Sequence, residues 1–293
     1  MIFLKNNKLT KFSYMKKVIL ILLFLTNSIF PQKLTLLNQF GDFSSASSFD
    51  IDLNQNIYVT DIIDNSITKY DSSGNETISI GGYGWEESTF DEPANIFTNT
   101  LSIYVADKNN NRVQRFDKDL NFLSQLQGGD ENSEIEFGYP TCVGISNIGD
   151  LYLLETDNNK ILKFNLDGNF LSEIGGNDAG DFALTNPKNF SPDLTGNIFV
   201  LDENRIKVFD QFGNRVLNYK IKYEPDKIRV IDNDILYIEK QQIVLFDLKE
   251  RKVKSIFAEF QNLSDLDIID AMVIGKNLYL LTSKFIQIYK TKN

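Results

Sequence analysis

The amino-acid sequence predicts an all-β fold, a six-bladed β-propeller of four-stranded antiparallel blades, and three observations favour it. A short strand with a central aromatic residue recurs six times, at steps of 38 to 48 residues. A second strand follows each time and ends on another aromatic residue, 9 to 12 positions after the first. Gly and Asn separate apolar runs rich in Phe, Ile, Val, Leu and Tyr, a composition that favours strands and turns over helices.

The first strand of each repeat sets the period. It reads IYV, IYV, LYL, IFV, LYI and LYL, and its central aromatic residues are Tyr58, Tyr104, Tyr152, Phe199, Tyr237 and Tyr279. The second strand ends on the aromatic residues Tyr70, Phe116, Phe164, Phe209, Phe246 and Tyr289. Apolar and polar residues alternate along both strands, as expected of strands buried on one face.

A turn and two further strands complete each repeat. The turn begins at Asp71, Asp117, Asn165, Asp210 or Asp247 and often closes with Gly-Asn, a good connection between antiparallel strands. A third strand such as FLSEIGG is followed by a loop of 10 to 15 residues that ends near a proline, and a short strand then leads to the next repeat. Four strands in about 45 residues match the size of a propeller blade.

The two ends of the chain are predicted to close the ring. The sequence stops one strand short of a complete sixth blade, and the segment KLTLLNQFGDF (33–43) matches the pattern of the fourth strand in the other blades. We therefore expect an N-terminal strand at about 33–41 to complete the last blade and hide two sheet edges, which would otherwise invite aggregation. Residues 33–293 then form a single propeller domain.

Residues 1–32 are predicted to be a secretory signal peptide. The segment MKKVILILLFLTNSIFPQ (15–32) has two lysines before an apolar run from Val18 to Leu25, too short to span a bilayer, and no cysteine follows it for a lipid anchor. Met15 is a better start for such a segment than Met1. We expect an extracytoplasmic protein, periplasmic or secreted, without a stable membrane span in its mature form. An uncleaved N-terminal anchor is the alternative.

Composition excludes several classes of function. The net charge is −10, and without the five lysines of residues 1–32 the balance of 25 basic and 40 acidic residues is −15. Such a domain repels phosphate backbones, so no nucleic-acid partner is expected. There is no histidine, which removes the commonest general base and metal ligand. The single cysteine, Cys142, excludes an intramolecular disulfide and a thiolate zinc site, and we expect it to be buried.

Several repeats share a longer pattern. The segments NIYVTD…NSITKYDSSGN, SIYVADKNNNRVQRFDKDLNFLSQLQGG and DLYLLETDNNKILKFNLDGNFLSEIGG resemble NHL repeats, as found in secreted bacterial propellers. The second repeat matches best, through Tyr104, Val105, Asp107, Asn111, Arg112, Val113 and Phe116, whereas the fifth and sixth keep the strands but lose the Asp and Asn-Arg signature. The resemblance implies a six-bladed propeller over nearly all of the mature chain. It implies little about function, because such propellers include recognition domains, lyases and lactonases.

One carboxylate per blade is predicted at the turn after the first strand, on the face that also carries the long loops. These residues are Asp61, Asp107, Glu155, Asp202 and Glu239, with Thr282 in the sixth repeat. A ring of carboxylates around a central channel would suit a hard cation such as calcium, which binds several oxygens. The simpler interpretation is that each carboxylate accepts hydrogen bonds from its own turn or pairs with the cation that follows, Arg112, Lys160 or Arg205.

The long loops are the candidates for recognition, because loops vary most on a propeller surface. They read GGYGWEESTFDEP, GGDENSEIEFGYP and GGNDAGDFALTNP, and the only tryptophan, Trp85, lies in the first. An exposed Trp85 would stack on a sugar or a peptide, whereas the alternative is an indole that folds back onto the blade. The three basic residues of the turns are candidates for contact with an anionic ligand.

We therefore predict a monomeric binding scaffold for a protein, peptide or glycan, with no catalytic residue and no cofactor, and with calcium as the metal to test for. The candidate ligand-binding residues are Trp85, Asp61, Asp107, Arg112, Glu155, Lys160, Asp202, Arg205 and Glu239. The alternative is a metal-dependent hydrolase or lyase that uses the channel carboxylates, although no nucleophile or paired-acid motif accompanies them.

Overall fold

The computed structural model describes residues 31–129, 135–222, 224–232, 234–261, 263 and 266–291. Residues 1–30, which make up most of the predicted signal peptide, lie outside this part of the chain. Residues 130–134 of the second long loop also lie outside it. Within the described ranges, no helix has the length and apolar character needed to cross a membrane.

The described strands form six four-stranded antiparallel sheets arranged as the blades of a propeller, which confirms the predicted fold. Strand β1 (Leu34–Phe40) is the first of the described strands. Blade 1 contains β2 (Ala46–Ile51), β3 (Ile57–Asp61), β4 (Ser66–Tyr70) and β5 (Glu76–Gly81). Blade 2 contains β6 (Pro93–Thr98), β7 (Ile103–Asp107), β8 (Arg112–Phe116) and β9 (Phe122–Gln127). Blade 3 contains β10 (Pro140–Ile145), β11 (Leu151–Glu155), β12 (Lys160–Phe164) and β13 (Phe170–Ile174).

The second half of the ring repeats this plan after a short 3₁₀ helix at Asn177–Phe182. Blade 4 contains β14 (Pro187–Pro192), β15 (Ile198–Asp202), β16 (Arg205–Phe209) and β17 (Arg215–Lys220). Blade 5 contains β18 (Lys227–Ile231), β19 (Asp234–Glu239), β20 (Gln242–Asp247) and β21 (Lys252–Phe257). Blade 6 contains β22 (Ile268–Ile274), β23 (Asn277–Thr282) and β24 (Ile286–Thr291), and it borrows β1 as its outer strand. The repeat read from the sequence thus begins on the second strand of a blade.

Strand β1 closes the ring. It pairs antiparallel with β24, from Phe40 opposite Ile286 to Leu34 opposite Thr291, with a bulge between Leu36 and Asn38. Blade 6 is therefore built from both ends of the described chain, as the sequence predicted. The pairing covers the edge of β24, which would otherwise expose a row of unpaired backbone groups.

The hydrophobic core is divided into six clusters, and each cluster lies between two neighbouring blades. One cluster joins Phe49 and Tyr70 of blade 1 to Tyr279, Leu281 and Ile286 of blade 6, so even the seam of the ring is packed like the other interfaces. The aromatic residues that set the sequence period lie in these clusters or pack against them. Because each blade shares its clusters with its neighbours, no blade buries its apolar faces alone.

The polar turns after the third strands of several blades share one hydrogen-bond pattern. The Oδ1 atom of Asp71 accepts hydrogen bonds from the amides of Ser73 and Asn75, both at 2.9 Å, and its Oδ2 atom accepts one from the side chain of Asn75. Gly74 adopts a φ of +86°, which disfavours residues with a side chain. The turns that begin at Asp117 and Asp210 repeat the aspartate geometry.

The two faces of the propeller differ in their connections. One face, here called the loop face, carries the turns between second and third strands together with the loops that link successive blades. Asp61, at the end of β3, accepts hydrogen bonds from the amides of Ser44 and Ser45 in the loop that leads into blade 1, which shows that both kinds of connection meet there. The opposite face carries the remaining turns.

Ring closure can be tested on two adjacent leucines of β1. The side chain of Leu36 packs against the core cluster between blades 5 and 6, whereas Leu37 is 52% exposed. We expect Leu36→Ala to lower the free energy of unfolding by about 1–2 kcal/mol, because it removes half-buried apolar surface. Leu37→Ala should change it by no more than about 0.5 kcal/mol. Urea denaturation of both variants measures the free energy of unfolding. An equal decrease in the two variants would contradict the observation that Leu36 faces the core and Leu37 faces solvent.

Candidate functional site

The carboxylate at the end of β3 is used by the backbone around it. Asp61 is buried, and besides the amides of Ser44 and Ser45 its Oδ1 atom accepts hydrogen bonds from the amides of Ile63 (2.9 Å) and Asp64 (3.1 Å). These four residues belong to the loop that enters blade 1 and to the turn of blade 1 itself. Asp61 therefore ties a loop to a turn, which matches the simpler of the two sequence interpretations.

Asp107 has the same position in blade 2 but a different set of partners. Its Oδ1 atom accepts a hydrogen bond from the amide of Asp91 at 2.8 Å, and its Oδ2 atom accepts one from Nε of Arg112 at 2.8 Å. The side chain of Asn110 also donates to Oδ2 at 3.0 Å. Asp107 and Arg112 are 0% and 3% exposed, so their ion pair is shielded from solvent.

The corresponding carboxylates of the other blades also face their own loops. Asp202 accepts hydrogen bonds from the amides of Thr185 and Asn186 and from Nζ of Lys207 at 2.6 Å. Burial would raise the pKa of Asp202, but these hydrogen bonds outweigh it and the pKa is lowered. Glu155 binds the side chain of Asn158. Glu239 is half-buried, and burial raises its pKa.

The predicted carboxylate ring is therefore distributed over separate turns. The carboxylates of Asp61, Asp107, Glu155 and Asp202 are each bound by groups of their own blade or of the loop that enters that blade. Within the described ranges, no three His, Cys, Asp or Glu side chains are grouped so that they could hold a metal ion. Of the predicted cations, Lys160 pairs with Glu173 at 3.0 Å and Arg205 donates to Oδ1 of Asn218 at 3.0 Å.

Arg112 also holds the first long loop in place. Its Nη1 atom donates to the carbonyl of Trp85 at 2.6 Å, and its Nη2 atom donates to the carbonyls of Glu86 and Thr89, both at 3.0 Å. A buried guanidinium thus binds three backbone carbonyls of one loop, which is possible because it has five N–H donors in a fixed planar arrangement. The loop keeps a defined shape although most of its side chains face solvent.

Two aromatic side chains stand out from this loop. Trp85 is 70% exposed and Tyr83 is 66% exposed, and their ring centroids lie 6.1 Å apart at an angle of 61°. This exposure shows that the indole of Trp85 does not fold back onto the blade. Arg112 binds the backbone carbonyl of Trp85 and leaves the side chain in solvent. The edge-to-face contact gives the two rings a mutual orientation. The exposed aromatic pair is the feature of the loop face that is best suited to recognition.

The surface around the aromatic pair is acidic. The loop segment GYGWEESTFDEP carries Glu86, Glu87, Asp91 and Glu92 and no basic residue. Asp91 accepts a hydrogen bond from the side chain of Asn109, and Glu92 pairs with Lys108. Among the residues that the structure describes, neither Glu86 nor Glu87 has an ion-pair partner. A negative potential therefore surrounds the exposed rings.

The central channel holds a second polar site, which the sequence did not predict. The innermost strand of each blade is its first strand: β2, β6, β10, β14, β18 or β22. Each of these strands places one residue at an equivalent position. Its partner on the second strand is the residue just before the blade-end carboxylate, or just before Thr282 in blade 6. This first channel ring consists of Ser48, Asn95, Cys142, Asn189, Lys227 and Asp270. Two residues further along, a second channel ring consists of Asp50, Phe97, Gly144, Ser191, Arg229 and Met272. Polar residues therefore recur where six strands converge on the axis.

Four charged residues of these rings form an ion network across the seam between blades 5, 6 and 1. Arg229 donates to both oxygens of Asp270, from Nε at 2.8 Å and from Nη2 at 2.7 Å. Its Nη2 atom also donates to the carbonyl of Phe49, and its Nη1 atom lies 3.3 Å from Asp50. Lys227 pairs with Asp270 at 2.6 Å. The side chains of blade 5 thus reach past blade 6 to blade 1.

The rest of the channel is narrow and is bridged by amides. Asn95 donates to Ser48 and accepts from the amide of Val143, which links blades 1, 2 and 3. Asn189 exchanges two hydrogen bonds with the backbone of Ile228. A cavity of about 40 Å³ remains beside them, enough for a water molecule. Cys142 is buried as expected, and burial raises its pKa.

Comparison with known proteins supports the fold but does not identify a family. No family model and no curated protein matches the chain. A selenomethionine-substituted virginiamycin B lyase from Staphylococcus aureus superposes with a TM-score of 0.61 at 11% identity, over 88% of this chain and 99% of that chain. A streptogramin B lyase gives 0.61 at 14% identity, over 88% and 98%. A chain from a nidogen/laminin complex gives 0.58 at 16% identity, over 73% and 80%.

These three likenesses confirm the propeller predicted from the NHL-like repeats, at the level of fold. The identities are too low to transfer an activity or a binding partner, because unrelated functions share this architecture.

The channel network predicts opposite pH dependences for two acids. Burial would raise the pKa of Asp270, but Arg229 and Lys227 outweigh it and hold the pKa below the ordinary 3.8. Burial raises the pKa of Asp50 above 3.8, and its contact with Arg229 only partly offsets this. Asp270 therefore stabilises the fold above about pH 4, and this contribution is lost as the pH falls through its folded pKa. The contribution of Asp50 is complete below about pH 4 and is lost as the pH rises through its folded pKa.

We expect the wild type to gain stability relative to Asp270→Asn as the pH rises from about 3 to about 6, and to lose stability relative to Asp50→Asn over the same range. At neutral pH, Asp270→Asn should cost about 3–5 kcal/mol, because it leaves buried cations without their main counter-charge. Urea denaturation at a series of pH values measures both slopes. Parallel slopes for the two variants would contradict the assignment of opposite pKa shifts.

The clamp on the first long loop predicts a local effect that the single tryptophan can report. Arg112→Lys keeps a charge beside Asp107 but cannot reach three separate carbonyls. We expect a larger amplitude of fast motion in the time-resolved fluorescence anisotropy of Trp85. Arg205→Lys is the matched control, because Arg205 has the same position in blade 4 and does not contact this loop. An unchanged anisotropy decay in Arg112→Lys would show that other contacts fix the loop.

Proposed function

We propose that this protein is an extracytoplasmic binding scaffold that recognises a basic segment of a protein or peptide at its loop face. The observation that carries the proposal is the exposed pair Tyr83 and Trp85 on a loop whose backbone is clamped by the buried Arg112. A loop that is already ordered loses little conformational entropy on binding. Exposed aromatic side chains on such a loop are effective anchors, because they offer a large contact area with few rotatable bonds.

The charge around the pair selects the partner. Lysine and arginine side chains are attracted to the faces of tryptophan and tyrosine rings, and the nearby carboxylates add favourable charge. Glu86 and Glu87 are exposed beside Trp85, and the domain as a whole is acidic. Complementary charge of this kind speeds association and disfavours acidic partners. A basic peptide segment therefore fits this surface better than a neutral glycan or a nucleic acid.

The structural neighbours are consistent with a binding role. One of them is a chain from a protein–protein complex, and two are lyases. A further virginiamycin B lyase structure is of a histidine-to-alanine variant described as catalytically inactive, so that enzyme depends on a histidine. This chain contains no histidine. The blade-end carboxylates bind their own turns, so nothing in the site favours the metal-dependent hydrolase or lyase over the scaffold.

Selection of peptides tests the proposal without a known partner. We expect a random-peptide display library to yield binders rich in lysine and arginine when it is panned against residues 33–293. Trp85→Ala should weaken binding of a selected peptide about 30-fold or more, since a central aromatic anchor contributes about 2 kcal/mol or more. Raised salt should weaken it further. Fluorescence anisotropy of a labelled peptide measures both effects.

Phe212→Ala is the matched control. Phe212 is 74% exposed in the turn between β16 and β17 on the opposite face. The substitution therefore removes a similar area of exposed aromatic surface away from the proposed site. Its effect on binding should stay within about twofold. Binders that are acidic, or that bind Trp85→Ala as tightly as the wild type, would refute the proposed site. A glycan array probed with the same proteins distinguishes sugar recognition from peptide recognition.

A further inference from the structure

The first three blades share a row of side chains that faces the following blade. In blade 1, Tyr58 on β3 lies opposite Lys69 on β4, and in blade 3, Tyr152 lies opposite Lys163. In both rows the lysine ammonium sits over the tyrosine ring, 5.8 Å and 5.6 Å from its centroid. Blade 2 has the same row with an arginine, Arg115, opposite Tyr104.

In blades 1 and 3 the cation of this row is fully engaged. Lys69 donates to the carbonyl of Lys118, in the turn of the next blade, and pairs with Asp119 at 2.9 Å. Lys163 donates to the carbonyl of Gln211, the equivalent atom one blade further on, and pairs with Asp150 at 2.7 Å. Each lysine therefore meets one turn carbonyl and one carboxylate, and it bridges two blades.

Arg115 in blade 2 lacks both of these partners. Its Nε atom donates to Oγ of Ser102, which takes the place that Asp150 has in blade 3. In the part of the chain that the structure describes, neither Nη atom of Arg115 donates a hydrogen bond, and Arg115 belongs to no ion pair. The hydroxyl of Tyr104 also has no partner there, like the buried hydroxyl of Tyr152 in blade 3, whereas the hydroxyl of Tyr58 donates to the carbonyl of Lys118. The cation and not the hydroxyl therefore distinguishes blade 2.

A cleft of about 340 Å³ opens between blades 2 and 3 beside these free donors. Tyr104 and Arg115 form one wall with Ser124. Leu126, Leu151 and the turn 165–168 of blade 3 also line the cleft. Tyr104 is only 5% exposed, and it lines the cleft. The cleft thus combines apolar side chains with a guanidinium that has no carboxylate partner and a hydroxyl that has no acceptor among the described residues.

We propose that this cleft binds a small carboxylate with an apolar body, with the carboxylate on Arg115 and Tyr104. The carboxylate would supply the negative charge and the acceptor oxygen that lysines of the neighbouring blades obtain from the protein. A guanidinium binds a carboxylate through two parallel hydrogen bonds, which a single ammonium cannot do. The apolar body would lie on Leu126 and Leu151, and the cleft has the volume for a body of one aromatic ring.

One acid of the cleft opposes such a ligand. Asp167 occupies in blade 3 the place that Asp119 has in blade 2, yet it lies beyond ion-pair distance of Arg115, so the guanidinium charge is not neutralised. Its own amide donates to the side chain of Asn165, which holds the turn and keeps Asp167 on the far side of the cleft. A ligand carboxylate on Arg115 is repelled by this second charge, and removal of Asp167 should therefore strengthen binding.

Phenylacetate is a suitable probe, and phenylacetamide is its neutral counterpart. We expect phenylacetate to shift the backbone NMR signals of residues 104–126 and 165–168 with a Kd of about 1–10 mM, as expected for a ligand of this size. Arg115→Met should weaken binding at least tenfold, Tyr104→Phe about threefold, and Asp167→Asn should strengthen it about threefold. Phenylacetamide should bind at least tenfold more weakly than the acid.

Arg251→Met is the matched control, because Arg251 also stacks on a tyrosine, Tyr219, at 5.9 Å but lies outside the cleft. It should leave phenylacetate binding unchanged. Equal binding of acid and amide, or binding that survives Arg115→Met in a variant with an unchanged melting temperature, would overturn the proposal, as would the absence of any shift. Tyr104→Phe removes one hydroxyl only and so keeps the test valid if Arg115→Met does not fold.

A second set of probes identifies the source of the carboxylate. A tetrapeptide that ends in phenylalanine with a free C-terminal carboxylate should bind more tightly than phenylacetate if the natural ligand is a chain end, and its amidated form should not bind. Weaker binding of the free-acid peptide than of phenylacetate would assign the cleft to a free small acid.

Discussion

The pairing of β1 with β24 is the constraint on which the rest of the molecule depends. Without that pair, blade 6 lacks its outer strand, and Phe40 of β1 loses its contact with Tyr70 across the seam between blades 6 and 1. The ion network of the channel crosses the same seam, because Arg229 of blade 5 reaches Phe49 and Asp50 of blade 1. Burying these charges is costly unless all partners are in place. Closure of the ring and satisfaction of the channel charges therefore require each other, and the channel residues favour the closed ring over any open arrangement.

Equivalent positions in the repeats share a location and differ in chemistry. The blade-end carboxylate binds four backbone amides as Asp61, an arginine as Asp107 and a lysine as Asp202. The common element is a buried acid that holds the loop entering the blade. What varies is the cation, and with it the carbonyls that the cation can gather. Among the blade-end cations of the described residues, Arg112 reaches three carbonyls of one loop, and this is the loop that carries the aromatic pair.

Much of the fold could be predicted from the sequence, because strand spacing and aromatic positions are read directly along the chain. The N-terminal strand was recognisable from its alternation, and Asp107, Arg112 and Trp85 were recognisable within the best repeat. The channel rings were not, since the innermost strands lack the recurring aromatic signature. An asparagine two positions after Pro93 and Pro187 was the available signal, but its meaning depends on the register between strands of different blades. Arg115 was hidden for a related reason: in the sequence it looks like Lys69 and Lys163, and only its missing partners distinguish it.

Repetition provides an internal reference for function. Where most blades place the same chemistry at one position, that chemistry is explained by the structure of a blade. The examples are an acid that binds the entering loop, an aspartate or asparagine in the turn, and an aromatic residue at the interface. A position calls for another explanation where one blade departs from this plan at a cost. Blade 2 departs twice, with two large aromatic rings left in solvent and with a cation that lost its acid. Exposed aromatic rings leave apolar surface in water, and a half-buried guanidinium without a counter-charge is partly desolvated without compensation. A bound ligand would explain both departures. They lie on different surfaces, so the proposed peptide site and the proposed carboxylate cleft would not overlap.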